Sequence, residues 1–185
     1  MATWIQRAIG AAKLDVATFE EVEADRGATG QAMLVVVLSS AAAGIGAWGQ
    51  PGQGPIKMAL AALIAWFVWA FITWLVGTKI LPGPETKADV GQLLRTIGFA
   101  SSPGILRVFT GVRGVGPVIG FILGVWMLAA MVVAVRQALD YRGTGRAVAV
   151  CLVGFLFYMA VLLALAVALG FGAWILGSAA GRVAS

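Results

Sequence analysis

The sequence contains no histidine, a single cysteine and little charge. Without histidine, and with Cys151 alone, neither the usual Cys/His zinc sites nor a triad that runs through an imidazole can be assembled, and no intramolecular disulfide can form. A carboxylate-only site for a hard cation stays open. Charged residues make up 11% of the chain, against about 25% in an ordinary soluble domain, while 61% are hydrophobic. That is too little polar surface to coat a core in water, so the surplus apolar surface must face lipid. The expectation is a non-enzymatic integral membrane protein with no cofactor.

The charge that is present lies between apolar runs. Thirteen Lys and Arg against eight Asp and Glu give a net +5. No basic stripe carries interleaved aromatics, so nucleic acid is not an expected partner; the cations sit where determinants of membrane orientation belong. The start does not read as a secretory signal, because acidic residues arrive from Asp15, before any long apolar core.

Residues 1–27 read as an interfacial helix followed by an acidic collar. Trp4, Ile5, Ala8, Ile9 and Ala12 fall on one helical face, with Gln6, Arg7 and Lys13 largely off it. Glu20, Glu21, Glu23 and Asp25 then precede the first apolar run, a favourable place for carboxylates at a helix start and a candidate docking patch for a basic partner. Residues 28–185 read as one membrane domain, an all-α helical bundle with spans near 28–48, 57–79, 90–110, 114–136 and 147–170. Lys57 and Lys79 bracket 21 uncharged residues and Arg113 and Arg136 bracket 22, each close to the roughly 20 needed to cross a bilayer. Trp66, Trp69 and Trp74 in the second run read as lipid-facing or packing residues. Gln50 to Pro55 is a turn-rich loop, and Asp140-Tyr141-Arg142 lies in a short polar loop. Arg146 and Arg182 bracket 35 uncharged residues, roughly 50 Å of helix, too long for one crossing and too short for two. A single long, tilted or protruding helix is expected, with a possible break at Gly170-Phe171-Gly172.

The third span is anomalous. Only eleven uncharged residues, Thr96 to Leu106, separate Arg95 from Arg107, and they include Gly98, Ser101, Ser102, Pro103 and Gly104. As α-helix they cover about 16 Å of a hydrocarbon core about 30 Å thick. Pro103 removes a backbone donor, Ser101 and Ser102 are placed to satisfy freed carbonyls, and non-helical backbone at this depth survives only when shielded by protein or water. Charge does not decide whether the stretch crosses or dips: with the N-terminus inside, five crossings and four each leave nine cations inside and four outside. Five crossings put the acidic collar and Asp140 on one side of the membrane; four put them on opposite sides.

Gly116, Gly120 and Gly124, spaced by four, offer a face for close helix approach, and Ser39, Ser40, Ala43 and Gly44 offer another. Either face suits intrachain packing or a second copy of the chain.

Gly98-Phe99-Ala100-Ser101-Ser102-Pro103 resembles the third-span signature of the Yip (Ypt/Rab-GTPase-interacting protein) family, with Phe99 where a tyrosine is common. Thr18-Phe19-Glu20-Glu21-Val22 is similar to the amphipathic entry before that family's first span, and Trp126 and Arg146-Ala147 also fit. The resemblance implies a small five-span membrane protein with a cytosolic N-terminus. Its eukaryotic members bind small GTPases in vesicle traffic; the Ala/Gly/Val-rich character here suits the bacterial branch and an inner membrane, where that role does not transfer. The expected function is the organising of membrane proteins or lipids, with the bilayer, other membrane proteins or a second copy as partners. The alternative is a small transporter, channel or lipid-moving protein that uses the broken third span. A lipid-handling enzyme built on Glu20, Glu21, Glu23, Asp25, Asp140 and Arg142 ranks last.

Overall fold

The computed structural model describes residues 2–48 and 55–183, with side chains described up to Ala164 and at Val167. The described residues are helical throughout their regular structure, with no strand among them. Two short helices, α1 (Trp4–Ala12) and α2 (Val16–Ala24), precede α3 (Ala28–Gly46) and α4 (Pro55–Leu75), which runs on through one π-helical turn, Val76–Ile80. Then come α5 (Val90–Ala100), a 3-10 segment (Ser102–Gly111), α6 (Gly116–Ala138) and α7 (Thr144–Val183). Four helical stretches are long and apolar enough to cross a membrane: Ala28–Gly46, Pro55–Ile80, Gly116–Ala138 and Thr144–Ala164. The turn-rich loop expected at Gln50 to Pro55 lies outside the described residues apart from Pro55.

Local chemistry sets the short helices. Thr3 and Gln6 form a reciprocal capping box on α1, and Asp89 and Gln92 form the same device on α5. Asp15 caps α2 by accepting from the Thr18 amide at 3.2 Å. The final helix is unbroken: α7 continues through residues 170–172, against the expectation of an interruption there. Glycine keeps its amide donor, so a Gly-Phe-Gly run weakens a helix by about 1 kcal/mol per glycine without ending it, whereas proline ends one.

Side-chain contacts define two ends of the bundle. At the end where α3 begins, here the near end, Gly77 of the π turn closes on Leu139. The Tyr141 hydroxyl donates to the carbonyls of Gly77 and Leu81 at 3.1 and 2.7 Å, and Thr86 donates to the carbonyl of Leu139 at 2.7 Å. At the far end, Gly46 meets the backbone of Arg107 and Gly111.

The third segment runs parallel to α3 between these ends. A Cβ on Gly98 would meet Ala32, one on Gly104 would meet Ser39, and Gly111 abuts Gly46, so the two chains advance in step along a seam of small residues. The segment keeps pace because it extends beyond both arginines, and its 3-10 half adds a few ångströms more. Eleven α-helical residues rise about 16 Å and ten 3-10 residues add about 20 Å, enough to match the roughly 28 Å of α3. The eleven residues between the arginines looked too short because Arg95 and Arg107 were taken as the ends of the segment, which runs on from Val90 to Gly111.

Candidate functional site

The third segment is enclosed over its first half and open beyond Gly104, where Leu106, Val108 and Phe109 are exposed. Every residue from Leu93 to Ala100 is buried, and so are Ser102, Pro103 and Gly104. α1, α2, α3, α4 and α6 all pack against it. Of the motif residues, Gly98 is needed for close approach to α3, and Phe99 is fully buried. Ser101 returns its hydroxyl to the Gly98 carbonyl at 2.6 Å, satisfying a group at the helix end. Ser102 does not act in the same way: its hydroxyl is buried with no partner. It lines a lateral groove beside Pro103, Leu106, Trp126 and the Trp4–Ile5 face of α1. Trp66 reaches into the segment from α4 and donates to the Leu94 carbonyl at 3.0 Å.

The glycine ladder of α6 is used at one end only. A Cβ at Gly116 would run into the Thr110 backbone, one at Gly120 would only touch the Thr110 methyl, and at Gly124 it would meet nothing within 4 Å. Close approaches to partners far away in sequence use Gly46, Gly77, Gly98 and Gly104 instead.

At the near end, two arginines that the sequence left as surface cations are buried. Arg7, 3% exposed, bonds Glu21 through Nε at 3.2 Å and Nη2 at 2.8 Å, pairs with Asp25 at 2.8 Å, and donates to Gln31 at 3.0 Å. Two collar carboxylates are therefore spent inside the chain. The hydrogen bond from Arg7 holds the Asp25 carboxyl below its ordinary pKa. Arg95, 5% exposed, donates from Nε to the carbonyls of Val22 and Glu23 at 3.0 and 3.1 Å, and from Nη2 to Glu23 again. α1 thus has two working faces: the Arg7 side locks onto α2 and α3, and the expected apolar side, Trp4 to Ala12, forms the wall of the groove.

Glu20 is exposed, and Glu23 is half-buried and accepts from Gln92 at 2.9 Å. Burial, and next the charge of Asp140, push the Glu23 carboxyl up to about 7, while Arg95 pulls the other way. The collar and the 139–142 loop therefore lie on one end of the bundle. Asp140 holds a left-handed backbone at φ 51, and exposed Arg142 pairs with Glu85. Among the described residues no group of three or more carboxylates or cysteines is placed to hold a metal ion.

The Glu23 environment makes a pH prediction. A carboxyl raised from 4.5 to about 7 binds more protons in the folded state than in the unfolded one between those values. Its contribution to stability falls as pH rises through that window and is constant above it. Glu23→Gln keeps an acceptor for Gln92 but cannot ionise. It should match the wild type below pH 4.5 and exceed it by about 1 kcal/mol at pH 8, after discounting for contact with water. Thermal unfolding in detergent at the two pH values reads this directly; an equal gap at both would assign the effect to packing.

No curated protein and no solved structure matches the chain. A sequence model of the Yip1 domain matches residues 15–166, from the N-cap of α2 to the middle of α7. With its all-helical fold and four apolar helices of membrane-crossing length, the chain belongs to the Yip1-domain family of membrane proteins.

Proposed function

We propose that this is a non-enzymatic, five-crossing protein of a bacterial cytoplasmic membrane, and that its near end is a cytosolic surface that docks other membrane proteins. The observation that carries the reading is the juxtaposition of the collar with the 139–142 loop: Glu23 feels the charge of Asp140, and Arg95 ties the end of α2 to the third segment. A third segment that runs from one end of α3 to the other, entering at the near end, supports the fifth crossing. With Glu21 and Asp25 engaged by Arg7, the carboxylates offered to a partner are Glu20, Glu23 and Asp140.

The test uses a single cysteine at position 140, Asp140→Cys in a Cys151→Ser background, in intact cells and in inverted vesicles. A membrane-impermeant maleimide should label the inverted vesicles and spare the cells, and a cleavable cross-linker on the same thiol should capture a discrete membrane protein. Labelling of intact cells would remove the cytosolic assignment. Correct labelling with no cross-linked product, joined to ion flux or lipid scrambling in reconstituted liposomes, would favour the transport reading over docking.

A further inference from the structure

Midway along the bundle, α3, α4, the third segment, α6 and α7 leave a lateral cavity of about 340 Å³, within the size range of ligand sites. Much of its wall is apolar, with Met58, Ala62 and Met127 among the lining side chains. What it offers in polarity is mostly hydrogen-bond donors. The Trp69 indole N–H is buried without an acceptor. Arg107, half-buried, is among the lining residues, and its side chain has no hydrogen-bond or ion-pair partner among the described residues; its carbonyl accepts from the Thr110 hydroxyl. Tyr158 stands edge-on to Trp69, ring centroids 6.0 Å apart, on the same wall. Ser39, Ser40 and Ser101 also border it, and the protons of Ser40 and Ser101 go to the carbonyls of Val36 and Gly98 at 2.7 and 2.6 Å. No carboxylate lines the cavity.

A cation and an indole donor with no partner among the described residues, set beside apolar side chains, are stabilised when something supplies acceptor oxygens. The occupant must therefore be anionic, rich in acceptors and apolar elsewhere. A bilayer supplies one molecule of that description in quantity, and basic pockets between membrane helices are known sites for anionic headgroups.

We propose that this cavity binds an anionic glycerophospholipid, drawn in sideways between α4 and the third segment. Arg107, whose backbone sits against Gly46 toward the far end, takes the phosphate through its planar fork. Trp69, on the α4 wall, donates to an ester carbonyl, and an acyl chain lies along the methionines. This site is independent of the near-end docking surface, so either can fail while the other stands.

The experiment uses the full-length protein, stripped of lipid in maltoside and titrated with phosphatidylglycerol or with phosphatidylcholine. Binding is read by native mass spectrometry and by the lipid-induced rise in thermal midpoint. One saturable phosphatidylglycerol adduct is expected, bound about tenfold tighter than phosphatidylcholine. Arg107→Gln should lose roughly that tenfold preference and Trp69→Phe a smaller part of it. Ala62→Trp fills the cavity and leaves the guanidinium intact; it should abolish the adduct and keeps the test decisive if Arg107→Gln does not fold. Equal binding of the two lipids, or wild-type binding by Ala62→Trp, overturns the proposal. A dimer that Ala62→Trp dissolves, in place of a lipid adduct, would also overturn it and give the cavity to a second copy of the chain.

Discussion

Gly98→Val should lower the thermal midpoint of the purified protein by on the order of 10 °C, from an overpacking cost of about 3 kcal/mol, while Gly124→Val leaves it unchanged. The difference comes from what each new side chain meets. A Cβ at Gly98 would stand 2.7 Å from the Ala32 Cβ and 3.2 Å from the Ala32 carbonyl oxygen. Ala32 is fully buried, and the carbonyl belongs to the backbone of α3, so no flexible side-chain end can swing aside. α3 would have to retreat, and the same movement would open the contacts of Gly104 with Ser39 and of Gly46 with Gly111. At Gly124 the added atoms enter open space. A rescue separates close packing from any effect of glycine on helix propensity. Gly98→Ala should destabilise less than valine, and adding Ala32→Gly should recover much of the loss, because it removes the nearest colliding atom. Circular-dichroism melts of the two single variants and the double give the coupling directly. Additive effects would mean that the two positions do not touch.

The same seam marks the boundary of what the sequence could tell. Charge-free stretches of membrane length are local properties, and they mark α4 with its π turn and α6 without reference to anything else. Pro103 and the serines are local too, and they place a break at the middle of the third segment, where α5 gives way to 3-10 helix at Ser101. The winding beyond the break is not local. It depends on Ser39 and Gly46 presenting a nearly smooth face for Gly104 and Gly111 to follow, more than sixty residues apart in the chain. Spacing by four singled out Gly116, Gly120 and Gly124, but a glycine ladder says only that a partner could approach, and just one rung has a close neighbour. The buried arginines were missed for a related reason. Arg7 lies off the apolar face of α1, which ordinarily means solvent, and Arg95 brackets an apolar run, which ordinarily means headgroups. Their partners, Glu21, Asp25 and the carbonyls at the end of α2, come into reach only when the N-terminal helices fold back onto α5. The one available signal was arithmetic: the collar holds more carboxylates than one helix start needs, and an arginine lies within reach on each side of it in the fold.

Arg95→Met is the second large effect, and its consequence should be local before it is global. The guanidinium accounts for both the Val22 and the Glu23 carbonyls, two of the last acceptors of α2, which have no partner within their own helix. A cation at that position also faces the negative end of the α2 dipole. Methionine has similar length and fills the space, so the change removes hydrogen bonds and charge while keeping most of the packing. Two carbonyls left without a charged donor should cost about 3 kcal/mol. The loss falls on the docking of α2 against α5, and because Arg7 joins α1 to Glu21 and Asp25, both N-terminal helices should loosen together. Trypsin should then cut after Arg7 and Lys13 at least tenfold faster than in the wild type, and amide exchange should rise across residues 16–24 while α6 keeps its protection. Arg95→Lys discriminates charge from geometry. It restores the cation but not the fork that bonds two carbonyls at once, so its protection should fall between those of the wild type and methionine. If lysine behaves as the wild type, the positive charge alone holds α2; if methionine does so, the N-terminal helices are held by Phe19 and Val22, both fully buried, and Arg95 adds nothing to them.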